Sequence, residues 1–97
     1  LEVDAGLDAA REALGQLLLE RDRAAEAVDV LSAAPGAPHG LSAAALLSLG
    51  TAYGELGRTD DARSTLTAGR AAAKASGADS VVRLRIDAAL RALEAGR

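Results

Sequence analysis

The sequence predicts an all-α chain, and three observations carry that expectation. Nearly half of the 97 residues are apolar, yet there is no Phe, Trp, Met or Cys and only one aromatic, Tyr53. The core must therefore be built from Ala and Leu, which are among the best helix formers and, in the case of Ala, let helix axes come close together. Val, Ile, Thr and aromatic residues, which favour strands, are too few and too scattered to make a sheet. Finally, apolar residues recur at three- and four-residue intervals, and the pattern itself repeats after 35 residues: Leu14-Gly15 falls on Leu49-Gly50, Leu18 on Tyr53, Ala27 on Ala62 and Leu31 on Leu66. A further step of 35 carries Leu49 to Leu84 and Tyr53 to Ala88.

The elements follow in order. Asp4 can cap a first helix whose Leu7, Ala10, Leu14 and Leu18 recur at helical spacing. A polar break at Glu20-Arg21-Asp22 leads to a second helix from about Arg23 to Ala34, with Ala27, Val28 and Leu31 on one stripe. Pro35-Gly36-Ala37-Pro38-His39-Gly40 ends it, because Pro denies a donor and Gly permits turns. Ser42 is placed to cap a third helix with the stripe Leu46, Leu49, Tyr53 and Leu56, ending at Gly57. Thr59-Asp60-Asp61 opens a fourth helix, with a side-chain acceptor and two acids at its positive end, Lys74 near its other end and Gly77 closing it. Asp79 or Ser80 starts a fifth helix to about Ala95, with Val81, Leu84 and Ala88 on one side and Val82, Ile86, Ala89 and Leu93 on another.

Length and charge bound the function. Ninety-seven residues make one domain, residues 1–97, burying roughly 60–65% of the unfolded chain's surface. A net charge of −3 argues against nucleic acid, which asks for a basic stripe. No run approaches the roughly 18 apolar residues that cross a bilayer, and no basic-then-apolar leader opens the chain, so no membrane partner is expected and the cytoplasm is the expected compartment. The absence of Cys excludes disulfides and thiolate metal sites. The chain starts at Leu1 and has no Met, which leads to the expectation of a processed product or, as the preferred reading, a segment of a longer protein.

The stretch Leu46–Leu66, LLSLGTAYGELGRTDDARSTL, resembles the tetratricopeptide repeat. The family pattern of a large residue, Leu-Gly, Tyr, a turn Gly, Ala and a large residue falls on Leu46, Leu49-Gly50, Tyr53, Gly57, Ala62 and Leu66, with the later small position on Gly69. The first copy matches at Leu14-Gly15, Leu18, Ala27, Leu31 and Ala34, with Arg11 at the large position and Asp22 at the turn Gly. The family's closing Pro falls on Lys74, so the fourth helix is expected to run on. The resemblance implies a right-handed α-α superhelix of five antiparallel helices: repeat 1 over 1–40, repeat 2 over 41–77 and a closing helix over 78–97. Small residues at Gly15, Gly50, Ala27 and Ala62 then allow two helices of a pair to meet face to face. Tyr53 is expected to fill the space between pairs, at a cost of about 3–5 kcal/mol on truncation if buried.

In this family the first helix of each pair lines a concave docking face. By register, that face would present Glu12, Gln16, Leu19 and Glu20, then Leu47, Ser48, Thr51 and Glu55, then Arg83 and Ile86. Family members that clamp the C-terminal carboxylate of heat-shock chaperones use Lys and Asn where this chain has Glu12, Gln16, Ser48 and Thr51, so that activity is not expected. A mixed acidic and apolar groove suits a basic or amphipathic helix or an extended segment.

Other motifs have plainer readings. His39, the single histidine, stands in the Pro/Gly loop with no acid or nucleophile nearby in sequence. Asp60-Asp61 suits a helix start. Gly50, Gly54 and Gly57 follow no strand and precede no Lys-Ser/Thr, unlike a phosphate loop. Arg83, Arg85 and Arg91 make a small basic set, read as a solvated face, with an acidic partner or flanking sequence as the alternative. No catalytic residue, cofactor or metal ligand is expected. The functional expectation is a module docking a protein or peptide; the alternative is a structural or self-associating helical tail of a larger protein. The latter is suggested by a composition like that of GC-rich bacterial genomes, whose multi-repeat transcriptional regulators carry tails resembling LGTAYGELGRTDDARSTL.

Overall fold

A computed structural model describes residues 5–33, 41–77 and 80–95. They form five helices and, among the described residues, no strand: α1 (Ala5–Glu20), α2 (Ala24–Ser32), α3 (Ala43–Glu55), α4 (Thr59–Ser76) and α5 (Ser80–Ala95). The proposed caps Asp4 and Asp79, the loop Pro35–Gly40 with His39, Ala34 and the side chain of Leu7 lie outside the described residues.

Helix ends follow from local chemistry. Ser42 caps α3 as expected, its Oγ accepting from the Ala45 amide at 3.1 Å. At α4 the cap position is Arg58, without a side-chain cap, so Thr59 begins the helix instead of capping it. Asp60 and Asp61 occupy the first turn, where the free amides favour negative charge, and Lys74 stands in the last. The helix continues past Lys74 to Ser76 and stops at Gly77, whose φ of 67° belongs to the left-handed region.

The 35-residue repeat is present atom by atom in the two tight turns. After α1, the Arg23 amide donates to Leu18 O at 2.9 Å and the Asp22 amide to Leu19 O at 3.1 Å. After α3, the Arg58 amide donates to Tyr53 O at 2.9 Å and the Gly57 amide to Gly54 O at 3.1 Å. Both are the paired six-to-one and five-to-two bonds of a Schellman stop. The pivot is Asp22 at φ 61° in one turn and Gly57 at φ 76° in the other. Arg23 then pairs with Glu26 and Arg58 with Asp61, again 35 residues apart.

Packing repeats too. A Cβ added at Gly15 would lie 2.6 Å from Leu31 Cγ, and one at Gly50 would lie 2.5 Å from Leu66 Cγ. Each glycine lets the buried leucine of the following helix press against backbone, which is how α1 meets α2 and α3 meets α4. Between the hairpins, α3 lies against both α1 and α2, and α5 completes the chain against α3 and α4. The first core cluster joins Ala24, Ala27, Val28 and Leu31 of α2 to Leu41, Ala45, Leu46, Leu49 and Ala52. The second joins Ala43, Leu66 and Ala73 to Ile86 and Leu90. Arg70 and Asp87, 3.0 Å apart, tie α4 to α5 at the surface.

Several expectations need correction. Leu14 and Ala10 do not face the core: Leu14 is 45% exposed although its repeat mate Leu49 is 2% exposed. Leu49 is covered by α2, whereas no helix among the described residues covers the matching face of α1. Leu56 leaves the stripe because it sits at the end of α3, half exposed. Tyr53 is half-buried, one side packed on the first cluster and the Arg58 guanidinium 4.7 Å from the ring centroid on another.

On α5, Leu84 and Ala88 are exposed, and Val82, Ile86, Ala89, Leu90 and Leu93 face inward. The step of 35 from Leu49 to Leu84 therefore fails; Ile86, 37 positions after Leu49, takes the core place. The two-residue delay follows from the extension of α4 to Ser76.

Candidate functional site

α1 and α5 flank α3, and the three helices enclose an open groove of about 400 Å³. Because α3 is buried on its other sides by α2 and α4, it can only offer its remaining face, and Ala44, Leu47, Ser48 and Thr51 make the floor. α1 contributes Gln16, Leu19 and Glu20 as one wall, and α5 contributes Val82, Arg85, Ala88 and Ala89 as the other. Leu19 and Leu47 are half-buried, packed on the two core clusters, so their outer surfaces are held in fixed positions.

The polar side chains are Gln16, Glu20, Ser48, Thr51 and Arg85. Thr51 donates its hydroxyl hydrogen to Leu47 O at 2.8 Å, leaving its oxygen as an acceptor toward the groove. Glu20 accepts only a long bond, 3.5 Å, from Gln16 within α1. No ion pair engages Arg85 among the described residues. The groove thus has an anionic side chain on one wall and a cationic one on the other, above a floor of two aliphatic and two hydroxyl side chains.

Of the expected docking residues, Gln16, Leu19, Glu20, Leu47, Ser48 and Thr51 are brought together here. The others are not. Glu12 is taken up by the frame: Ser42 donates to its carboxylate from Oγ at 2.8 Å and from the backbone amide at 3.5 Å, fixing the start of α3 to α1. Glu55 lines a neighbouring hollow of about 380 Å³ between α3 and α5, with Gly54, Ala92 and Leu93. Arg83 is exposed outside both, and Ile86 is fully buried in the core.

Sequence reasoning missed Ala44, Val82, Arg85, Ala88 and Ala89. The signal for the last four was the apolar stripe Val82, Ile86, Ala89 and Leu93, which sets the register of α5 at 37 and puts Arg85, not Arg83, opposite Ser48. Among the described residues, no three acidic or histidine side chains gather in a way that could hold a metal ion, and no helix is long and apolar enough to cross a membrane. Comparison with protein-family models, with curated proteins and with solved structures finds no match.

Proposed function

We propose that the chain is a protein-interaction module of tetratricopeptide type, two helical hairpins and a closing helix in a right-handed superhelix, which docks a peptide or protein segment in the groove of α1, α3 and α5. The observation that carries this reading is the convergence of first helices. Six of the ten residues that the repeat resemblance assigns to a docking face line one groove, and the exposed polar atoms and aliphatic surface there suit a polypeptide. The 35-residue identity of the two turns supports the repeat assignment. The test is selection of peptides from a displayed library on the 97-residue chain, followed by mapping of the best binder through backbone amide shifts. Perturbations centred on Leu19, Leu47 and Thr51 are expected, and a Ser48→Trp variant should lose binding at least tenfold. A footprint on α2 and α4 would overturn the groove assignment.

A second reading has its own observation. Leu14 and Leu17 are each 45% exposed, while their repeat mates Leu49 and Ala52 are 2% and 0% exposed. An α1 face of this kind suits a structural tail that packs on a further helix or on a second copy. Sedimentation across a hundredfold concentration range tests it: a rising mass abolished by Leu14→Glu supports self-association, and an unchanged monomer counts against it.

A further inference from the structure

Three helices stand in a row, α1 against α3 and α3 against α5. Both outer members of that row turn an apolar stripe away from it. At about 100° per residue, the exposed Ala10, Ala13, Leu14 and Leu17 of α1 fall within an arc of about 100°, roughly half a turn from Leu19, which packs on the first core cluster. On α5 the exposed Val81, Leu84, Ala88 and Ala95 fall within about 60°, roughly half a turn from the buried Ile86. No charged residue of either helix lies inside its arc. Leu84 and Val81, 66% and 55% exposed, meet water even more than Leu14 and Leu17 do.

The two stripes suit each other better than either suits itself. Residues 5–33 carry six acids and three arginines, a net −3, whereas 58–77 and 80–95 carry four acids and seven bases, a net +3. Close to the stripes the same contrast holds: Glu20 and Asp22, with Arg21 between them, follow the one on α1, and Arg85 and Arg91 border the one on α5. Pairing α1 with α1, or α5 with α5, sets like net charge together, and pairing α1 with α5 sets opposite charge together. Shape agrees. Ala10 precedes Leu14 by four residues on α1, and Leu84 precedes Ala88 by four on α5, so side by side in parallel each leucine meets an alanine.

Resting on the self-association reading, we infer that a second copy of this chain covers the α1 stripe, and that it does so with its α5 stripe. The row α1, α3, α5 then continues into α1 of the next copy. Such a contact joins two different surfaces, so it does not close on itself and adds copies one after another. One helix against one helix falls below the roughly 1,200 Å² of a standard interface, so the association is weak and reversible.

Sedimentation of the unaltered chain up to about 1 mM should show a mass that keeps rising past the dimer. Leu14→Glu and Leu84→Glu should each sediment as monomers, both positions being exposed and folding being confirmed by helical circular dichroism. An equimolar mixture of the two variants should form a dimer that grows no further, because each chain brings one intact stripe. Either variant associating alone as the unaltered chain does, or a mixture that stays monomeric, would overturn the α1–α5 contact while leaving self-association intact. An unaltered chain that remains a monomer at about 1 mM would overturn both.

Discussion

The two hairpins are the same object in different surroundings. Their turns share hydrogen bonds to within 0.1 Å at matching positions, and their glycine-leucine contacts differ by a similar amount. Yet Leu49 is sealed in the core while Leu14, its mate, is half exposed. The difference lies in the neighbours: α2 lies on the Leu49 face of α3, and nothing among the described residues lies on the Leu14 face of α1. A repeat's local code thus sets turn and hairpin geometry, while burial is set by position in the stack.

The largest effect should come from breaking that contrast directly. Leu49→Ala removes a fully packed side chain and should cost about 3 kcal/mol, a fall in Tm of more than 10 °C for a chain this size. Leu14→Ala should cost under about 1 kcal/mol, since much of the leucine already meets water. Equal losses in thermal unfolding would mean that the Leu14 face is covered in solution.

Next in size is the glycine contrast within α3. Gly50→Ala places a methyl 2.5 Å from Leu66 Cγ, and Leu66 is too enclosed to yield freely. Overpacking of about 2 kcal/mol outweighs the gain of about 1 kcal/mol in helix propensity, for a net loss of about 1 kcal/mol. Gly54→Ala meets nothing closer than Leu93 at 3.7 Å and should gain about 0.5–1 kcal/mol. Urea midpoints moving in opposite directions confirm the pair; two losses would show that α5 sits tighter on α3. Tyr53→Ala should cost about 2 kcal/mol, less than a fully buried ring, because one side of it already faces water and Arg58.

How much was legible follows the same division. The cap at Ser42, the stops at Gly57 and Gly77, and the small residues at Gly15 and Gly50 could be read because each is a short-range requirement. Half the groove could be read because α1 and α3 share a register of 35. α5 could not be placed by extending that number, since the length of α4 decides where the next helix starts; its register shows only in its own apolar stripe, Val82, Ile86, Ala89 and Leu93. Nor could the diversion of Glu12 to Ser42, a contact across 30 residues, be seen from a helix wheel.

The smallest expected effect separates local code from context most cleanly, because it sits where the hairpins agree in geometry but differ in residue. Asp22 adopts φ 61° where Gly57 adopts φ 76°. A side chain in this region costs about 1 kcal/mol, somewhat less for Asp and Asn than for Ala. Asp22→Gly relieves that strain but widens the unfolded ensemble, so a net gain of about 0.5 kcal/mol is expected. Gly57→Ala should lose about 1 kcal/mol from backbone strain alone, as nothing lies within 4 Å of the added methyl. Asp22 also carries charge between the C-terminal end of α1 and the start of α2, so Asp22→Asn keeps the conformational preference while removing the carboxylate. If the turn is governed by backbone conformation, Asn should match Asp within about 0.3 kcal/mol and Ala should fall below both. A loss on Asp22→Asn as large as on Asp22→Ala would instead assign the residue's role to its charge, and the two turns would then hold the same shape for different reasons.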